Sequence, residues 1–209
     1  MKLKRIQIIG NIICLIPAAI ICFLLFQNSL SANPIRTVTS ITGQTAIYLL
    51  LDSLFCSPLH RILKMSVFIH LRKILGLYSF YYSFVHFFIF SAIDFELNPR
   101  WLIPEISQKP FLQIGLMALI LLLLLAVTSI NKIKISLGKW WKRIHYVVYL
   151  VTALIIIHIT IASKGNYFKP LILAGIYLVA MVLRIPPINK LSIKRLPSWA
   201  RELNTKLVN

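Results

Sequence analysis

The chain has 209 residues, 58% of them hydrophobic, and a formal charge of +18 from 23 basic and 5 acidic side chains. Its mean hydropathy is +0.81, and several apolar runs approach the ~20 residues a helix needs to cross a bilayer, which excludes a soluble globular domain and points to an integral membrane protein. The runs are continuous rather than alternating, so the backbone is satisfied within helices and the fold class is an all-α transmembrane bundle.

Taken in chain order, the apolar runs predict six spans, at about 6–26, 41–55, 74–93, 111–130, 144–162 and 171–185. The first follows Lys2, Lys4 and Arg5 and precedes Ser29-Leu30-Ser31, an arrangement similar to a secretory signal with its cleavage site. It is longer than a signal core, however, and is expected to be a retained helix. The second is diluted by Thr42, Gly43, Gln44 and Asp52 and is expected to end at Ser57-Pro58. The third carries Tyr78, Phe80, Tyr81, Tyr82, Phe84, Phe87, Phe88 and Phe90 around several faces, mostly as packing. Asn33-Pro34, Asn98-Pro99, Pro104, Pro110, Gly138 and Gly165-Asn166 punctuate the connections. No internal repeat is visible, and residues 1–209 are expected to form a single domain.

The charges are placed by topology. Lys2, Lys4 and Arg5, then Arg61, Lys64, Arg72 and Lys73, then Lys132, Lys134, Lys139, Lys142 and Arg143, and finally Arg184, Lys190, Lys194, Arg195, Arg201 and Lys206 all fall on one side of a six-span chain. The other side has Arg36, Arg100, Lys109, Lys164 and Lys169 with the acids Asp94, Glu96 and Glu105. The positive-inside rule therefore predicts both termini in the cytoplasm, with the basic side chains meeting anionic lipid headgroups rather than nucleic acid. Trp101, Trp140 and Trp141 read as interface anchors. Cys14, Cys22 and Cys56 lie within spans and read as small apolar packing residues.

Imidazoles in apolar helices are costly unless they have a partner. His60 and His70 fall in a basic connection, where a solvated or lipid-facing ring is expected. His86, eight residues before Asp94, and His158, six before Lys164, lie on parallel spans at similar depth, ~9 to 12 Å of helix from the outer boundary. Two facing imidazoles at one depth can clamp a haem iron from both sides, and the alternative is an interhelical hydrogen-bonded pair. His145 stands thirteen residues before His158 on the opposite side of the membrane, where a second redox centre would sit. Its ring is ~140° away around an ideal helix. Arg72, fourteen residues before His86, occupies the matching depth on the third span; it cannot ligate iron but can pair with a haem propionate or a flavin phosphate. Asp52 is the one acid within a span, and is expected in a buried ion pair, facing Arg72 for instance, or snorkelling to the interface.

The third span with its approach, HLRKILGLYSFYYSFVHFFIF, the fifth, LGKWWKRIHYVVYLVTALIIIHITIAS, and the segment NPIRTVTSITGQTAIYLLLDSLFCSPLHR resemble the MsrQ (YedZ) family of the ferric reductase-like transmembrane group. The resemblance covers about 6–187 and includes span order and the arginine-to-histidine spacing. It implies a haem b subunit of the bacterial inner membrane that passes electrons to MsrP, a periplasmic molybdopterin enzyme reducing methionine sulfoxide in oxidised proteins. It also implies FMN as an associated cofactor, and the quinone pool or a cytosolic flavin reductase as donor. By the same resemblance His86, His145 and His158 are candidate axial ligands. The oxidase relatives have a second histidine on the third span where this chain has Arg72, a departure that speaks against a second bis-histidine haem, so one haem is the expected count.

The residues themselves agree on the division of labour. The chain has no G-x-G-x-x-G and no expected soluble domain after the sixth span, so nicotinamide binding falls to another protein. Its outer connections have no nucleophile with a base and no metal cluster for substrate chemistry. The competing readings are a quinol-linked cytochrome b, a transmembrane ferric reductase with another acceptor, and a small proton-coupled transporter using the histidines and Asp52.

Overall fold

The computed structural model describes residues 2–27 and 33–185. Ser29-Leu30-Ser31 and the tail residues Lys190, Lys194, Arg195, Arg201 and Lys206 lie outside the described residues. Helices α1 (Lys2–Phe26), α2 (Pro34–Leu63), α3 (Val67–Ile89), α4 (Pro99–Gln108), α5 (Pro110–Thr128), α6 (Asn131–Leu137), α7 (Trp140–His145), α8 (Val147–Ala162) and α9 (Phe168–Val182) follow in order, with one π-helical turn over Phe90–Asp94. No strand occurs among the described residues. Five segments are long and apolar enough to cross a membrane: α1, α2, α3 with its π turn, α5, and α7 continued by α8. The shorter apolar α9, at 15 residues, rises about 22 Å and makes the sixth. The chain is a multi-pass membrane protein.

The second span starts seven residues before its expected position and runs through Ser57-Pro58. Asn33 caps it by accepting the Arg36 N–H at 3.0 Å, and Pro34 fits the first helical turn, where no partner is needed for the missing N–H. Pro58 lacks the N–H that would bond the Leu54 carbonyl, and a proline inside a helix is ordinarily disruptive for that reason. Here the Arg184 guanidinium, from the end of α9, donates to that carbonyl instead. The helix therefore continues to Leu63. Beside Pro17 in α1, the Tyr82 hydroxyl accepts from the Ala18 N–H at 3.1 Å and donates to the Cys14 carbonyl at 2.8 Å, bridging the rung next to the one the proline lacks.

The antiparallel pair α2–α3 forms one half of the bundle and the pair α5–α8 the other. Ser79 donates to the Ala46 carbonyl at 2.8 Å and Ser53 to the Arg72 carbonyl at 2.9 Å, holding α2 and α3 in register. Between the halves lies a core of Ile47, Leu50, Ala118, Leu122 and Val151, against which α9 packs from one side. Helix α1 lies outside, on α3. Large apolar side chains such as Ile9, Phe23, Leu150 and Leu178 are exposed around the circumference, as a lipid-facing surface requires. Arg61, Lys73, Lys134 and Arg184 gather at one end of the bundle, called here the basic end; Arg36, Asp94, Glu105 and Lys169 mark the far end.

Candidate functional site

A cavity of about 710 Å³ opens between the two halves near the far end, lined among others by Thr39, Gly43, His86, Phe111, Gly115 and His158. Its size lies in the range of cofactor pockets. The His86 Nδ1–H donates to the Thr39 carbonyl across the α2–α3 interface at 2.8 Å. The His158 Nδ1–H donates to the Phe111 carbonyl across the α5–α8 interface at 2.7 Å. A carbonyl only accepts, so in both rings Nδ1 carries the proton and Nε2, on the opposite edge, keeps its lone pair. Neither Nε2 has a partner among the described residues.

The two ring centroids are 6.4 Å apart with planes crossed at 86°. With metal–imidazole bonds of about 2.0 Å and ring radii of about 1.1 Å, a metal ion between two opposed Nε2 atoms would separate the centroids by about 6.2 Å. The spacing, the fixed tautomers and the unpartnered nitrogens thus fit bis-imidazole ligation. No group of three or more His, Cys, Asp or Glu side chains suited to a metal ion occurs among the described residues, so His86 and His158 stand as a two-ligand set.

The two halves present these groups in a common register. Thr39 and Phe111, Gly43 and Gly115, and His86 and His158 are each offset by 72 residues. The buried pairs Ala46 with Ala118 and Leu50 with Leu122 share that offset. The repeat that was not visible in the sequence is therefore present in space, carried by a few widely spaced identical residues and by main-chain carbonyls at a common helix register, too sparse to stand out along the chain.

A family model described as "Ferric reductase like transmembrane component" matches residues 42–156. The chain is 33% identical over 187 residues to the protein-methionine-sulfoxide reductase heme-binding subunit MsrQ of Herminiimonas arsenicoxydans, covering 88% of this chain and 86% of that one. It is 32% identical to the MsrQ of Ralstonia nicotianae with the same coverage, and 33% identical over 190 residues to that of Salmonella arizonae, covering 88% and 96%. The chain belongs to the MsrQ family.

A second cavity of this MsrQ-family chain, about 340 Å³, lies toward the basic end. His145 and Arg72 both line it, together with Lys73, Lys134, Trp141 and His70. His145 is bound differently from the other two rings: its Nε2 meets the Thr128 hydroxyl at 3.2 Å, whose own proton goes to the Leu124 carbonyl at 2.8 Å. The Trp141 ring lies against it with centroids 4.3 Å apart. His70 belongs to α3 rather than to a connection, with its Nδ1–H on the Ser66 carbonyl at 3.0 Å. His60 likewise lies on a helix, in the last turn of α2, and donates from Nδ1 to the Met65 carbonyl at 2.8 Å.

Asp52 lines neither cavity and is exposed on α2. It makes no ion pair, the one ion pair among the described residues being Lys109 with Glu105. The expected buried pair with Arg72 is therefore absent. Arg36, Asp94 and Lys169 stand at the mouth of the larger cavity. Sequence reading placed them only as loop charges.

Proposed function

We propose that His86 and His158 are the two axial ligands of a haem b, and that the chain carries single electrons along the bundle axis to a periplasmic molybdopterin subunit, MsrP, for reduction of methionine sulfoxide in oxidised proteins. The observation that carries the reading is the pair of unpartnered Nε2 atoms held by rings 6.4 Å apart over a 710 Å³ cavity. A haem held at both axial positions supplies one-electron transfer and offers no open position to a substrate. The carbonyls of Thr39 and Phe111 fix the ring tautomers, the apolar walls exclude water, and Arg36 and Lys169 at the mouth suit propionate carboxylates. The relatives' common description as a heme-binding subunit of a methionine-sulfoxide reductase supports the same assignment.

We assign the input side to the basic end. Arg72, Lys73 and Lys134 around the second cavity suit a haem propionate or the phosphate of FMN, with His145 as a candidate ligand beside them and the quinone pool or a cytosolic flavin reductase as donor. A proton-coupled transporter built on the histidines and Asp52 is disfavoured, because Asp52 lies outside both cavities. The inner membrane, with the basic end in the cytoplasm, is the setting this reading requires.

Substituting either ligand tests the assignment. His86→Ala and His158→Ala should each remove most of the low-spin haem signal in the reduced-minus-oxidised spectrum while the protein remains inserted. Full retention of the bis-imidazole spectrum in either variant overturns it. His145→Ala should leave that signal largely in place, and Arg72→Ala should slow reduction by the donor more than it lowers haem content.

A further inference from the structure

We propose that Gly43 and Gly115 are positioning residues that set the redox potential of the far-end site, by admitting each histidine ring to a backbone carbonyl one helical turn earlier. The inference rests on the assignment of His86 and His158 as ligands. A Cβ built at Gly43 would lie 3.0 Å from His86 Nδ1 and 3.1 Å from its Cε1. At Gly115 it would lie 2.8 Å from His158 Nδ1 and 2.9 Å from Cε1. These neighbours are ring atoms pinned by a hydrogen bond, not the free ends of flexible chains, so they cannot yield without breaking that bond.

The geometry follows from helix periodicity. Thr39 and Gly43 are four residues apart, as are Phe111 and Gly115, so each accepting carbonyl already serves the N–H of the glycine in its own helix. The imidazole N–H must approach the same oxygen from the side, across the patch that the side chain of the fourth residue would cover. Only glycine leaves that patch open. The arrangement occurs twice, in both halves, at the same 72-residue offset.

A hydrogen bond from Nδ1 to a carbonyl raises the basicity of Nε2 toward a metal, the effect by which partners of ligating histidines tune metal sites generally. A more basic ligand favours the more highly charged oxidation state. Two such bonds therefore favour ferric over ferrous iron, and losing either raises the midpoint potential.

The test is redox titration and low-temperature EPR of the haem-loaded full-length protein carrying Gly115→Ala, Gly43→Ala, or the controls Gly76→Ala and Gly175→Ala. Alanine at Gly76 meets only Ser53 Oγ, at 3.5 Å, and at Gly175 nothing within 4 Å. Helix propensity favours alanine at all four positions, so a defect confined to 43 and 115 reports ring contact and not helix stability. Gly115→Ala should weaken the preference for ferric iron at least tenfold, an upward shift of about 59 mV for a one-electron couple, with an altered low-spin spectrum. Gly43→Ala should move the same way by less, since its clash is milder. The controls should match the parent. A parent-like potential and spectrum in Gly115→Ala overturns the proposal while leaving the ligand assignment intact. Retention of bis-imidazole haem in His86→Ala or His158→Ala overturns both. If Gly115→Ala yields no haem-loaded protein, redox-difference infrared spectroscopy of the unaltered protein with ring-15N histidine decides: imidazole bands of a strongly hydrogen-bonded Nδ1–H support the proposal, and those of a free Nδ1–H overturn it.

Discussion

The planes of the His86 and His158 rings cross at 86°. An imidazole donates π density only perpendicular to its plane, so crossed rings raise two iron d orbitals alike where parallel rings would split them. The ferric site should therefore give a strongly anisotropic low-spin EPR signal with one dominant large-g feature. A well-resolved rhombic triplet from the intact protein would contradict the crossed arrangement. The two proposed ligands were legible in the sequence as candidates, because polar rings at equal depth in two apolar runs need a partner, either a metal or each other's helices. What fixes them was not. Thr39 and Phe111 act through main-chain oxygens that any residue supplies, Gly43 read as dilution of a weak span, and Gly115 drew no notice in an otherwise apolar helix. His145 was legible as a histidine at the opposite depth, but its hydroxyl partner Thr128 becomes a neighbour only once α5 and α7 pack together.

Among the elements, α2 departs furthest from its reading, and Arg184 is the reason. Proline 58 looks like a terminator when its own helix is the only possible source of a partner for the Leu54 carbonyl. The donor comes instead from 130 residues away. Arg184→Ala should destabilise the detergent-solubilised protein by roughly 1 to 3 kcal/mol, the cost of an unsatisfied buried carbonyl and a lost charged hydrogen bond. In a Pro58→Ala background, where the helix regains its own N–H, the same substitution should cost measurably less. Additive losses in that double-mutant cycle, read by thermal unfolding, would separate the two residues. Tyr82→Phe removes the hydroxyl bridging Cys14 and Ala18 and should loosen α1 with little change at the haem site, a difference that protease access to α1 against haem absorbance would show. The six apolar segments were nonetheless readable in order and approximate position, because hydrophobic run length is a property of the sequence and proline tolerance is a property of the packing.

For the molecule as a whole, charge segregation between the two ends predicts orientation. In a background lacking Cys14, Cys22 and Cys56, Asn166→Cys should react with an impermeant maleimide in spheroplasts and Ser136→Cys only after lysis; the reverse pattern would invert the topology. At the far end, α4 buries none of its residues and exposes Trp101 and Ile103, while Asp94 stands at the cavity mouth and Glu105 is engaged by Lys109. Neutralising Asp94, Glu96 and Glu105 together should slow haem reoxidation by the purified acceptor at low salt without bleaching the haem, with Asp94 contributing most, because rim charges act chiefly on encounter rate. Equal rates at every ionic strength would place the docking surface elsewhere. The two halves of the bundle agree in register but not in chemistry: Ser40, Gln44 and Ser83 line the cavity from the first half where Leu112, Leu116 and Ile155 line it from the second. A porphyrin bearing unlike substituents on its two sides has two flipped seatings in a symmetric socket, equal in energy. Here the first half offers polar side chains where the second offers apolar ones, so the flips are inequivalent, and a haem seated as proposed would favour one of its two orientations.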